Sequence, residues 1–190
     1  MTRLLAAAGM VALLGGMTYI VLSAGESNSG QPAAVKTTGA TPSPKPVAKP
    51  PARVKLALSG IGAYDPEGDR SENGGDARLA TDGDPSTAWK SEHYRTTFDK
   101  SGVGLVLDAG KPVRASRVVV TTDTPGYNAQ VQVGDSPTGP FTAVSGSKTT
   151  TARTAYTLKP RSGRYLVLWV TSMPVGGVAA VNEVGVTAGG

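Results

Sequence analysis

Seven carboxylates crowd one short stretch of this chain. Asp65, Glu67, Asp69, Glu72, Asp76, Asp82 and Asp84 fall within 20 residues and make up seven of the 13 acids beyond residue 53. Such a glycine-rich acidic stretch suits two chemistries. A hard cation such as Ca2+ takes about six to eight oxygens from carboxylates, hydroxyls and carbonyls. Gly83, between Asp82 and Asp84, lets the backbone fold back and present them. Alternatively, Asp82 and Thr87 bond to the turn's own polar groups and no metal is needed. A second group of polar and aromatic side chains lies in Ser91–Ser101, with Glu92, His93, Tyr94, Arg95 and Phe98. An aromatic ring with an arginine and a carboxylate grips a sugar by stacking and paired hydrogen bonds. The competing reading is a solvated loop with Tyr94 or Phe98 folded inward.

Catalysis finds little support in the same residues. His93 is the only histidine and reads as a loop residue. There is no cysteine, which excludes disulfides, thiolate metal sites and cysteine nucleophiles. No Gly-x-Ser-x-Gly elbow and no glycine-rich phosphate loop occurs. Two carboxylates could flank a glycosidic bond, yet none here sits in a recognisable catalytic motif. The net charge of +5 does not mark a nucleic-acid binder. Residues 1–53 carry five basic residues and one acidic, a net +4; residues 54–190 carry 14 and 13, a net +1. Phosphate binding needs concentrated positive charge, and the folded part has none.

The elements that must position these residues are short strands. Candidates are Val54–Ser59, Val103–Asp108, Ala115–Thr122, Ala129–Val133, Thr142–Val144, Thr151–Leu158, Tyr165–Thr171 and Ala180–Thr187. Ala129–Val133 alternates strictly, so one face is buried and one is wet. Turn signals separate the runs at 108–110, 124–126, 135–140 and 160–163. Eight short strands without helical patterning predict an antiparallel sandwich. In Tyr165–Thr171 both faces are apolar, so Tyr165, Val167 and Trp169 are either covered or bind a partner.

One stretch is more specific. Ala80-Thr-Asp-Gly-Asp-Pro-Ser-Thr-Ala-Trp89 resembles the signature turn of the discoidin, or coagulation factor 5/8 type C, family. Further matches follow in the family's order: Val103–Asp108, Val131–Phe141, Gly163–Leu168 and Val181–Val184. The resemblance covers roughly residues 55–187 and implies an all-β, antiparallel jelly-roll β-sandwich of the galactose-binding-like type. Tyr64-Asp-Pro, the acidic stretch and Ser101–Asp108 resemble an actinobacterial variant. That variant ends some membrane Ser/Thr kinases and flippase-like peptidoglycan proteins; without a kinase domain, this chain would be a stand-alone version. Carried over by position, structural Ca2+ ligands would be the Ala80 carbonyl, Asp82, Asp84, Thr87 and Glu183. Trp89 would plug the core with its indole N–H on a carbonyl. Ligand loops would be Gly60–Gly75 and Ser91–Ser101, with Glu92, Tyr94, Arg95 and Phe98 as binding residues.

Leu4–Leu22 is 19 residues without a charge, long enough to span a bilayer as a helix. Arg3 precedes it and Glu26 is the first charge after it, which orients the remainder outward. The segment reads as an uncleaved anchor in the cytoplasmic membrane; a signal peptide cleaved after Val21-Leu22-Ser23, with secretion, is the alternative. Without cysteine there is no lipobox. Residues 25–53, rich in Pro, Ser, Thr, Ala and Lys, form an extended linker. The expected organisation is 1–24 membrane segment, 25–53 linker and 54–190 binding domain. Its expected ligand is an envelope glycan or other carbohydrate; a protein-interaction or scaffolding module in an envelope assembly is the alternative. Membrane contact is through the N-terminal helix, and nucleic acid is not a partner. Protease added to intact spheroplasts should digest the domain or release it from its stalk. Full protection until lysis would contradict this topology.

Overall fold

The computed structural model describes residues 52–189. The expected membrane segment and nearly all of the linker lie outside them. The described chain forms twelve strands: β1 Val54–Leu56, β2 Ser59–Tyr64, β3 Trp89–Lys90, β4 Val103–Val113, β5 Ala115–Thr121, β6 Asn128–Gly134, β7 Thr142–Ala143, β8 Lys148–Thr149, β9 Arg153–Thr157, β10 Gly163–Ser172, β11 Ala180–Val181 and β12 Glu183–Ala188. One sheet runs β1-β12-β5-β9 and the other β2-β4-β10-β6-β7, with β8 also on β6; β11 and β3 form a short ribbon. Every pair is antiparallel. The sandwich expected from the strand pattern is what forms.

Three differences from the sequence reading have local causes. The expected strand Val54–Ser59 splits, because β1 pairs with β12 in one sheet while β2 pairs with β4 in the other. The chain changes sheets at Ala57 and Leu58. The turn signal at 108–110 falls inside β4, which continues to Val113. Gly110 takes φ 73° there, a conformation that favours glycine, and the register against β10 shifts beside it. Arg164 bridges the irregularity with two bonds to Asp108, Nε to Oδ1 at 2.8 Å and Nη2 to Oδ2 at 2.7 Å. Finally, a 3-10 helix at Gly74–Ala80 and the two-residue strands β3 and β8 are too short to leave a periodic signal.

The core lies between the sheets and includes Leu105, Leu107, Val118, Val120, Val131, Tyr156, Leu166 and Leu168. Central strands β4 and β10 are buried on both faces over Val103–Leu107 and Leu166–Val170, so neither alternates. The outer apolar face of β10 is covered. Val106, Val167 and Trp169 form a second cluster beneath Tyr64, Phe141 and Tyr165. The Tyr64 ring stands 5.0 Å from Phe141, edge to face, and 5.6 Å from Trp169. Trp169 is only 6% exposed.

Gly102 lies against the Trp169 indole, and a Cβ there would overlap the ring. Gly102→Ala should therefore destabilise the domain by about 1–3 kcal/mol, read from urea unfolding. Gly146→Ala, where a Cβ meets open space, should change stability far less.

Candidate functional site

The strand pairings gather four loops at one end of the sandwich. Tyr64 of β2 pairs with Gly104, Val103 with Val170, and Asn128 with Ser172. The segments 65–73, 91–102, 122–127 and 173–179 therefore leave the sheets together. Loops on a rigid sandwich are where binding residues concentrate.

Ionic contacts tie the first two loops together. The Lys100 ammonium lies 3.0 Å from Asp65 Oδ2 and 3.3 Å from Glu72 Oε1, and both carboxylate side chains are fully buried. It also donates to the Tyr94 hydroxyl at 2.9 Å and sits 5.2 Å from that ring's centre. The Tyr94 hydroxyl donates to Glu72 Oε1, and the Glu92 N–H to Glu72 Oε2 at 2.9 Å. The Glu72 carbonyl accepts the Trp89 indole N–H at 3.0 Å. Trp89 is thus the buried core plug expected of it, and Glu72 is its acceptor.

Glu72 occupies left-handed backbone at φ 40°, flanked by Arg70 at 71° and Asn73 at 51°. Non-glycine residues rarely adopt this conformation. Asn73 holds the chain there by donating to the carbonyls of Lys90 and Ser91, at 3.0 and 3.1 Å. Burial opposes charge on Lys100, but its bonds to Tyr94, Asp65 and Glu72 outweigh burial and hold the ammonium well above its usual range. Burial, and then the bond to Glu72, push the Tyr94 hydroxyl far up. Glu92 is raised by burial first and then by Asp69 and Glu72.

The turn at 82–87 is closed by hydrogen bonds. Asp82 Oδ1 accepts the Asp84 N–H at 3.0 Å, and Glu183 Oε1 accepts the Gly83 N–H at 2.8 Å. Asp84 Oδ1 takes the N–H and hydroxyl of Ser86, which lower its pKa. Asp82 Oδ2, the Asp84 carbonyl and the Leu79 carbonyl lie 2.9, 3.0 and 3.3 Å from the Thr87 hydroxyl. A hydroxyl has one proton to give, so these oxygens outnumber their donor. That crowding matches the ligand type calcium prefers. Ala80 is buried. Among the described residues, however, no three His, Cys, Asp or Glu side chains converge as metal ligands.

The loop end also carries a cleft of about 590 Å³. Residues His93 to Phe98 make one wall, and Met173, Pro174, Gly176 and Gly177 the other. The Tyr94 N–H donates to the Gly177 carbonyl at 2.8 Å and fastens the walls together. Gly177, at φ 71°, approaches the Tyr94 carbonyl so closely that a Cβ would overlap it. Of the four binding residues expected from sequence, Tyr94, Arg95 and Phe98 line this cleft and Glu92 does not. The Tyr94 hydroxyl points back into the ion cluster, and its ring is braced edge to face by Phe98 at 4.8 Å. Arg95 and His93 are exposed. The wall at 173–177 and the lining role of His93 were missed, and no motif marks either one.

No family profile matches the chain. Solved structures resemble it. Chitosan-binding module 1, derived from a chitosanase/glucanase of Paenibacillus sp. IK-5, aligns with a TM-score of 0.56 at 20% identity, over 72% of this chain and 100% of that one. The family 32 carbohydrate-binding module of Clostridium perfringens NanJ, in complex with galactose, gives 0.53 at 19% identity, over 72% and 100%. A further C. perfringens family 32 module, solved with GalNAc-β-1,3-galactose, gives 0.52 at 17%, over 71% and 100%. At these identities the likeness establishes the fold. The chain shares the β-sandwich fold of these discoidin-like carbohydrate-binding modules.

Two substitutions test the supports of this loop end. Lys100→Met leaves two buried carboxylates without their cation and should cost about 3–5 kcal/mol in urea unfolding. Asp82→Ala removes the acceptor of the Asp84 N–H and one of the three oxygens around the Thr87 hydroxyl, and should lower the melting temperature even in excess chelator. Equal melting of wild type and Asp82→Ala, with calcium and with chelator, would contradict the turn's role.

Proposed function

We propose that this chain is a non-catalytic carbohydrate-binding module displayed outside the cytoplasmic membrane, with an envelope glycan as its ligand. The loop-end cleft carries the reading. Arg95 and His93 stand exposed in its wall, beside the braced rings of Tyr94 and Phe98. A guanidinium donates to sugar hydroxyls, and the ring edges and Met173 give the apolar contact a pyranose needs. The sandwich fold it shares with carbohydrate-binding modules supports the same reading, as does the absence of catalytic motifs from the sequence. Fold alone does not assign function, so the cleft is the part to test.

The apolar N-terminal segment would hold the domain at the membrane and the linker would space it from the lipid. A structural Ca2+ belongs to the same proposal. Its candidate ligands are the Ala80 carbonyl, Asp82, Asp84, Thr87 and Glu183, but the three carboxylates do not converge and would have to exchange their bonds to the Asp84, Ser86 and Gly83 N–H groups for the ion. The alternative, a protein-interaction or scaffolding module in an envelope assembly, loses one of its motives, because Val167 and Trp169 of the candidate apolar face are buried.

The full chain in mild detergent should be retained by purified peptidoglycan sacculi or by defined glycans on an array. Arg95→Ala should weaken that binding by about tenfold or more, equivalent to about 1.4 kcal/mol. Retention by no glycan, or equal retention of wild type and Arg95→Ala, would overturn the reading.

A further inference from the structure

The fold sorts charges that the sequence mixes. Residues 54–190 hold 14 basic and 13 acidic side chains, with no basic run. The strand pairings separate them. At the end opposite the loop-end cleft, Val113 pairs with Gly163, Tyr165 with both Asp108 and Gly134, and Ala188 with both Val54 and Ala115. The segments 109–114 and 158–162 turn at this end, and β1 begins there. This end carries seven of the basic side chains and two of the acidic ones, Asp108 and Asp135. The four loops at the other end carry seven acids and three bases.

Six of the seven bases are free to meet a partner. Lys111 and Arg114 lie in one turning segment and Lys159 and Arg161 in the other, and all four are exposed. Lys55 and Arg117 both pair with Thr187, which puts them on the outer face of the same sheet. None of the six forms a salt bridge among the described residues, whose ion pairs are Lys100 with Asp65 and Glu72 and Arg164 with Asp108. Arg164 and Asp108 thus cancel, and Asp135 is the one acid left against six bases. Arg53 is exposed immediately before β1 and adds to the same end.

We propose that this basic end docks on the headgroups of an anionic lipid bilayer and turns the loop-end cleft away from it. The proposal rests on the reading of Leu4–Leu22 as a membrane anchor. Basic side chains are drawn to an anionic lipid surface within about a Debye length of it. The acidic loops are repelled by the same surface, so attraction and repulsion orient the domain the same way. Position selects lipid over a free polyanion. The linker joins the domain at its basic end, and Lys36, Lys45 and Lys49 carry the same sign along it. Residues 25–53 reach about 90 Å when extended and about 30 Å as a coil, so the tether keeps the bilayer within range of this end. The linker sets how far the domain can stand from the membrane, and the charges set how it faces.

The experiment uses the full chain reconstituted into liposomes of phosphatidylcholine, alone or mixed with phosphatidylglycerol. The sequence has no cysteine, so Ser162→Cys at the basic end and Thr96→Cys at the loop end each take a single fluorophore. Lipid carrying a nitroxide on its headgroup quenches a dye that lies at the surface. On the anionic liposomes the Ser162→Cys dye should be quenched about fivefold more than the Thr96→Cys dye. That difference should vanish on neutral lipid and in about 1 M salt, and should shrink when Lys159→Gln and Arg161→Gln are combined. Flotation separates the two readings. A chain that floats with neither liposome overturns the anchor and the docking surface together. A chain that floats, with both dyes quenched alike or with the Ser162→Cys dye quenched equally on neutral lipid, overturns the docking surface and leaves the anchor standing. If lipid leaves the Ser162→Cys dye unquenched while a soluble glycerol-phosphate polymer changes its emission, the bilayer is overturned in favour of a wall polymer.

Discussion

One ammonium group organises the loop end of this domain. Lys100 Nζ meets Asp65, Glu72 and Tyr94 where the 65–73 and 91–102 loops come together. Two carboxylates out of contact with water are tolerable only with a cation beside them. The constraint acts in both directions. Without Lys100 the two buried carboxylates lose their cation, and without the Glu72 carboxylate the Tyr94 hydroxyl and the Glu92 N–H lose their acceptor. Polar contacts thus add to the packing of Tyr94, Phe98 and Met173 on the apolar core in holding the loop end.

The sandwich supplies what a binding site needs from its scaffold. β4 and β10 run through the middle of one sheet, buried on both faces, and their ends fix where the loops begin. The aromatic cover of Tyr64, Phe141 and Trp169 closes the outer face of β10. Backbone strain collects there too: Arg70, Glu72 and Asn73 are the only non-glycine residues at positive φ among the described residues. Strain of this kind persists where surrounding contacts over-determine it. The contacts of Asn73 and Glu72 do so here.

Much of the scaffold was legible in the sequence. The long strands, the antiparallel sandwich, the tight turn at Asp82–Thr87 and the burial of Trp89 all follow from alternation, turn chemistry and a short motif. The site was less legible because its contacts are distant in sequence. Lys100 lies 28 residues from Glu72 and 35 from Asp65, and no periodicity links them. Tyr94 was legible as an aromatic in a polar loop, but the direction of its hydroxyl depends on Glu72. The excess of acid over base in 65–84 was visible; that one lysine beyond the stretch would neutralise part of it was not. Glu92 looked like part of a sugar grip, yet its N–H bonds Glu72 and its side chain lies outside the cleft lining. The second wall of the loop-end cleft comes from 173–177, a stretch of small and apolar residues with no motif to flag it.

The central claim is that the buried cluster sets the shape of the loop-end cleft. Tyr94→Phe tests it most directly, because the ring stays and only the hydroxyl shared by Lys100 and Glu72 is lost. The measurement is amide hydrogen exchange across residues 91–102 and 173–179 in wild type and Tyr94→Phe. The account predicts that these amides exchange about tenfold faster or more in the variant, while those of β4 and β10 keep their protection. Unchanged exchange in both loops would show that the cleft holds its shape without the cluster, and would contradict the account.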